Sequence, residues 1–318
     1  VITLRRILDA ALKLGGDLSK NFSRKSVLTI GLFASAAVQA QTVTEQPLVL
    51  TSLAPVYQLT LPLVADTNID LQLLPESPRS MQTHTTLFVR QAERYADLFR
   101  RADAVLTIGK VWAADPFYIS ARQFNIRVVN IDASKPWSHE LDGVAVTNSP
   151  ATGQVSPWFW LSPSNVVRML DIIAGDLQQL YPAEADTIKH NLDTAKAGWV
   201  ARKSATEQRL LEVDDPQIYA LTDEFVYLTS DLGLFVAGYF VKQDIDWTEA
   251  DYTSLTEALQ AGGVRVVIHK WEPTEAIQAA ITAAGATLVV LDTLETTTDF
   301  AGGFDQNLEA LLNALKAP

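Results

Sequence analysis

The chain of 318 residues carries no cysteine, 25 Lys/Arg against 37 Asp/Glu, and a formal net charge of −12. A hydrophobic share of 48% with 19% charged residues excludes a disordered chain and is enough for two domains with cores of their own. Without cysteine there are no disulfides or thiolate metal sites, and the acidic balance argues against nucleic acid or an anionic membrane as partner.

The first informative stretch is "NFSRKSVLTIGLFASAAVQAQT". A basic start (Arg24, Lys25) leads into an apolar run from Val27 to Val38, which closes on the small-residue pattern of a signal-peptidase site. The run is too short to span a bilayer, and nothing later reaches the roughly 18 apolar residues that a spanning helix needs. The expectation is an upstream segment and signal peptide over 1–40, cleavage near Ala40, and a periplasmic mature chain. Residues 1–40 hold six Lys/Arg and two Asp/Glu, so 19 basic residues face 35 acidic ones in the remainder, a net charge of −16.

From Leu48 the pattern alternates short β-rich runs with helical stretches. "LVLTSL" reads as a strand, "PVYQLTLPLVAD" as a helix opened by Pro55, "IDLQLL" as a strand and "TLFVRQAERYADLFRRA" (86–102) as one helix. "AVLTIG", the helical "DPFYISARQFN" and "IRVVNI" complete a βαβαβαβ order, the signature of a doubly wound parallel sheet. An irregular stretch runs from Asp132 to Ser156. Two long helical regions come next, one ending at Pro182 and one from Ala183 to about Leu211, the second long enough to be a strut between lobes. After Pro216 the alternation restarts through "QIYALT", "LFVAGYFV", "VRVVIH" and "TLVVLD", with helices between, one closed by Gly262 and one by Gly285. The expected class is α/β: two doubly wound, Rossmann-like lobes joined by a long helix, with the ligand cleft between them. The expected boundaries are an N-terminal lobe over 41–160, a helical connector over 161–215 and a C-terminal lobe over 216–318.

Six local patterns, in order, carry a resemblance: "LVLTSLAPVYQLTLPLV", "LQLLPESP", "RRADAVLTIG", "SPWFWLSPSNVVRMLDIIAGDLQQLYP", "ALTDEFVYLTSDLGL" and "LVVLDTL". Over 48–316 the chain resembles the metal-type periplasmic solute-binding proteins of ABC importers, the zinc and manganese receptors. That resemblance implies a receptor that hands its ligand to an inner-membrane permease and ATPase, acts as a monomer, binds no nucleic acid, is no enzyme, and carries a transition metal, zinc or manganese. It also implies three loops bearing imidazoles and a fourth bearing a carboxylate. Here those positions read Ser77-Pro78-Arg79, Ser156-Pro157-Trp158, Leu221-Thr222-Asp223 and Asp292. Arginine keeps its proton and indole offers no lone pair, so the family's His-rich tetrahedral site does not form at those positions.

The cleft admits two readings. In one, a pocket built from Arg79, Trp112, Trp158, Thr222, Asp223 and Asp292 takes a small or anionic molecule, with Arg79 as a carboxylate fork and Trp158 as an apolar wall. In the other, an altered metal site recruits His84, His269, Glu272 and Asp292. His84 is then a displaced ligand rather than a solvated loop histidine, and His269, at the carboxyl end of "VRVVIH", lines the cleft rather than being buried and hydrogen-bonded. Trp112 adds aromatic wall or anchors the surface. The alternatives to metal delivery are a receptor for a metal complex or small organic ligand, or a degenerate accessory protein that binds nothing. No G-x-S-x-G, Gly-rich phosphate loop, H-E-x-x-H or cysteine nucleophile supports an enzyme.

Overall fold

A computed structural model describes residues 46–317. The expected signal segment over 1–40 and its cleavage point therefore lie outside the described residues.

Two four-stranded sheets, both wholly parallel, organise these residues. The first contains β1 (Leu48–Thr51), β2 (Asp70–Leu73), β3 (Ala104–Thr107) and β4 (Val129–Asp132), in the order β2-β1-β3-β4. The second contains β5 (Gln217–Ala220), β6 (Phe235–Tyr239), β7 (Val266–His269) and β8 (Thr287–Val290), in the order β6-β5-β7-β8. The orders are the same, so each lobe reverses direction between its first and third strands. Of the central strands, β1, β3 and β7 are buried at every position and β5 at alternate ones, while β2, β4, β6 and β8 at the edges are partly exposed. Apolar runs such as LVLT and VVIH fit strands covered by helices on both faces.

The covering helices are α1 (Ala54–Thr60), α2 (Ala96–Arg101), α3 (Phe117–Phe124), α4 (Pro163–Leu180), α5 (Ala185–Leu210), α6 (Val226–Asp231), α7 (Glu249–Gly262), α8 (Glu275–Ala283) and α9 (Phe300–Lys316). Two local expectations change. The single helix expected over 86–102 is instead a π-helical turn (Thr85–Arg90), a 3-10 turn (Ala92–Tyr95) and α2, broken at Gln91, where φ is −118° and ψ is 21°. The breaks let Phe88, Tyr95 and Phe99 all reach one aromatic cluster with Phe117. The residue that closes α7 is Gly263, not Gly262: it adopts the left-handed conformation (φ 62°) that a side chain disfavours.

α4 and α5 form an antiparallel pair that touches both lobes. α4 starts beside α6: Ser162 accepts from the Asn165 N–H, and its own hydroxyl donates to Asp231 at 2.9 Å. Near its far end, Asp176 accepts from the Trp137 N–H in the first lobe. α5, at 26 residues about 39 Å long, is anchored to the first lobe by Asn191, which donates to the Leu63 and Ala65 carbonyls. Its other end is held by Trp199 packed on Phe300 and Phe304, and by Arg202 paired twice with Asp305. This is the long helix joining two lobes that the sequence implies. One continuous apolar core runs from Val49 and Leu106 of the first sheet through Trp160 and Met169 to Ile218, Ile268 and Leu291 of the second.

Candidate functional site

A cavity of about 690 Å³ opens between the lobes at the carboxyl ends of the second sheet. The strand order reverses between β5 and β7, which is where open α/β sheets place ligands. The residues just beyond those strands face one another there: Glu224 after β5 and Lys270 after β7 form an ion pair. The other Glu224 oxygen accepts from the Thr222 hydroxyl, so both carboxylate oxygens are engaged. The Lys270 ammonium also lies 4.5 Å from the centroid of the Trp271 ring. Trp158 forms a second aromatic wall, half-buried, and its buried indole Nε1–H finds no acceptor among the described residues.

The loop after β8 supplies the remaining acids. The Asp292 backbone is clamped by the Asn307 side chain, which accepts from its N–H at 2.8 Å and donates to its carbonyl at 2.7 Å. Its carboxylate Oδ1 accepts from the Leu294 N–H at 2.7 Å. Leu294 itself is fully buried and left-handed (φ 57°), a strained state for a leucine that costs about 1–3 kcal/mol. A Cβ at Gly303 would approach Leu294 to 2.7 Å, so the glycine lets α9 pass under this turn. The turn presents Glu295 across the cleft, where its carboxylate accepts from the Ser80 hydroxyl and the Met81 N–H of the first lobe. Burial raises the Glu295 pKa above the usual carboxylate range, against the lowering effect of those hydrogen bonds.

Of the residues singled out from the sequence, Trp158 and Asp292 line the large cavity. Arg79 does not: its side chain is exposed and lies outside the cavity wall, because the loop beyond β2 brings Ser80 and Gln82 inward instead. What Arg79 contributes is its carbonyl, which accepts from His84 Nε2 at 3.3 Å. Thr222 and Asp223 border a smaller recess of about 180 Å³ with His269. Asp223 accepts from the Ser149 hydroxyl, which ties the irregular stretch before α4 to the second lobe. Tyr227 pins the same stretch, accepting from the Thr147 N–H and donating to the Ser156 carbonyl.

The four expected metal ligands do not come together. Among the described residues no group of three or more His, Asp or Glu is placed to hold a metal ion. His84 is wholly buried, edge-on to Phe88 and to Trp112, so Trp112 packs against a histidine and lies outside the cavity wall. Burial depresses the His84 pKa to about 4, with the Arg79 carbonyl opposing. His269 is buried too, 3.5 Å from Asp244 and packed on Trp271; burial lowers its pKa although Asp244 pulls the other way. Glu272 is exposed and borders neither cavity. Sequence reasoning missed Glu224, Lys270, Trp271 and Glu295. The first three were accessible by one rule, since each sits within four residues of the end of a predicted central strand. Glu295 depends on the left-handed turn at Leu294, which no sequence pattern announces.

Residues 49–317 match the model of the family described as zinc-uptake complex component A, periplasmic. The chain belongs to this family. No curated protein sequence matches it significantly. Among solved structures it is similar to a mutant of FpvC from Pseudomonas aeruginosa (18% identity, TM-score 0.67, 85% of this chain and 99% of that one). It is also similar to the zinc-bound ZnuA-like domain of Streptococcus pneumoniae AdcA (18% identity, TM-score 0.65, 86% and 100%). A third likeness is to FpvC with Mn²⁺ (18% identity, TM-score 0.65, 86% and 99%). At that identity the likeness is one of fold: two lobes, a long joining helix and a cleft. Within the zinc-uptake component A family, this chain has a cleft with tryptophan walls, one lysine and three carboxylates.

Proposed function

We propose that this chain is the periplasmic receptor of a metal-type ABC importer whose cleft takes a small solute or a metal chelate in place of a bare ion. After export and cleavage near Ala40 it hands its cargo, as a monomer, to a membrane permease driven by an ATPase. Family membership supports the receptor role. The observation that carries the altered cargo is Trp158, an indole with no lone pair to give a metal, standing on the wall of a cavity of about 690 Å³. That volume lies within the range of small-molecule sites, and a bare ion would leave most of it to water. The donor set agrees: among the described residues no group of three or more His, Asp or Glu is placed to hold a metal ion.

The test is metal analysis of the purified mature chain together with thermal unfolding in Zn²⁺, Mn²⁺ and EDTA. The expected result is substoichiometric metal and no change in midpoint. A ligand at a hundred times its Kd adds about 2.7 kcal/mol of stability, so a specific ion would be plain to see. Near-stoichiometric metal, with a midpoint raised by the ion and lowered by EDTA, overturns the altered-cargo reading.

A further inference from the structure

The electrostatics of the cleft sharpen the receptor reading, and the assignment of a cargo class rests on that reading. From the sequence, Arg79 would make the pocket attract anions, but its side chain is exposed and lies off the cavity wall. The charged groups that do line the cavity are Glu224, Lys270, Asp292 and Glu295. Glu224 and Lys270 neutralise each other, and Glu224 has no oxygen to spare. Asp292 and Glu295 are left over. Each uses one oxygen within the protein, and the other accepts no hydrogen bond among the described residues. The pocket is thus acidic in its unspent charge, inside a chain that is itself strongly acidic and draws cations toward its clefts.

The walls suit the same kind of ligand. Indole faces attract cations through the ring quadrupole, more strongly than other side chains do. The protein already shows one such contact here, with the Lys270 ammonium 4.5 Å from the Trp271 centroid. Trp158 borders the same cavity and has no cationic side chain over its ring among the described residues. A hard metal ion gains little from an indole and lacks its donors here. An ammonium, guanidinium or quaternary nitrogen needs no lone-pair cage: it needs an aromatic face and nearby carboxylates.

We infer that the cleft selects small organic cations, seated against Trp158 and facing the unspent oxygens of Asp292 and Glu295. Lys270 is the internal competitor, holding Glu224 and the Trp271 face in the absence of cargo.

The mature chain tests this by calorimetry and tryptophan fluorescence with four probes: choline and agmatine as cations, 3,3-dimethyl-1-butanol as the uncharged isostere of choline, and succinate as an anion. At least one cation is expected to bind, with the neutral isostere and succinate at least about tenfold weaker. Asp292→Asn is expected to weaken the cation about two- to fivefold, and Trp158→Leu about tenfold. Asp292 is exposed and its backbone is held by Asn307, so the asparagine variant keeps the fold, which circular dichroism verifies. Binding of succinate in preference to the cations, or equal binding of the neutral isostere, overturns the cation assignment and leaves the receptor reading standing. Silence toward all four probes, with Zn²⁺ bound stoichiometrically, overturns the cation assignment and the altered-cargo reading together.

Discussion

His84 is the histidine that a metal site would recruit first, five residues past Arg79 in the loop beyond β2, and it is the least available. Both its ring nitrogens are enclosed: Nε2 meets the Arg79 carbonyl, and Nδ1 has no partner among the described residues. A buried imidazole with a pKa near 4 remains neutral where an unfolded one, near 6.5, has gained a proton. The unfolded chain therefore binds more protons between those values, and the His84 contribution falls as pH drops from about 6.5 toward 4. By linkage the loss is about 2–3 kcal/mol by pH 4.5. Asp115 and Asp176 act in the opposite sense, since burial raises both to about 6 and they take up protons in the folded state first. A comparison of variants separates the effects. Against wild type, His84→Phe should lose about 1 kcal/mol at pH 7 for the missing hydrogen bond. It should recover that loss and become the more stable protein at pH 4.5, as urea midpoints at the two pH values will show. A constant difference between the two proteins across that range would mean that His84 titrates normally.

At the scale of elements, the lobes are set by a small polar clamp. Asp231, at the end of α6, accepts from the Ser162 hydroxyl, the Ser164 N–H and the Ser164 hydroxyl at 2.7 to 2.9 Å, and from Lys203 of α5 at 3.3 Å. Burial opposes its ionisation, but these donors outweigh the penalty and hold its pKa below the ordinary value. Asp231→Ala leaves the Ser164 N–H and the Ser162 and Ser164 hydroxyls without their acceptor, while Lys203 keeps Glu207 and the Ser164 hydroxyl, and should cost about 1–3 kcal/mol in denaturant unfolding. Asp231→Asn, which keeps acceptors for the serines, should cost less; equal costs would assign the effect to packing. The clamp also shows what a sequence can reveal. Periodicity and proline placement expose α4 and α5, and strands such as LVLT and VVIH announce a parallel sheet by their unbroken apolar runs. The Ser162 partner of Asp231 lies 69 residues away and leaves no local trace. The same limit governs the site. Trp158 and Asp292 could be nominated because a motif surrounds each of them. Arg79 was misplaced because the direction of a loop side chain depends on neighbours from the other lobe. The helix expected over 86–102 broke for a similar reason, its aromatic residues being drawn to Phe117 rather than along one helical stripe.

For the whole molecule, the question is how far two lobes move when one core runs through both. Trp160 is fully buried at the junction, and its indole N–H donates to the Thr293 carbonyl at 2.9 Å, immediately beside Asp292. α5 is fastened to each lobe at opposite ends, so hinge opening would have to bend a 26-residue helix or expose apolar core. Exposing core costs about 25 cal/mol per Å², and a rotation that uncovered a few hundred Å² would forfeit much of a typical domain stability. A contact that costs less to break is the Glu295 latch to Ser80 and Met81, which is polar and partly exposed and whose donors lie on the short loop after β2. When the cleft widens, that latch is expected to yield before the packed core between the lobes does. Two measurements check this. Saturating ligand should leave the radius of gyration from small-angle scattering unchanged within about 0.5 Å, since a moving loop shifts little mass. Glu295→Ala should speed amide exchange at Met81 and its neighbours by about tenfold while the amides of β1, β3 and β7 keep their protection. The reverse pattern, a shrinking radius with an unaffected loop, would mean that the core between the lobes yields and that α5 acts as a spring.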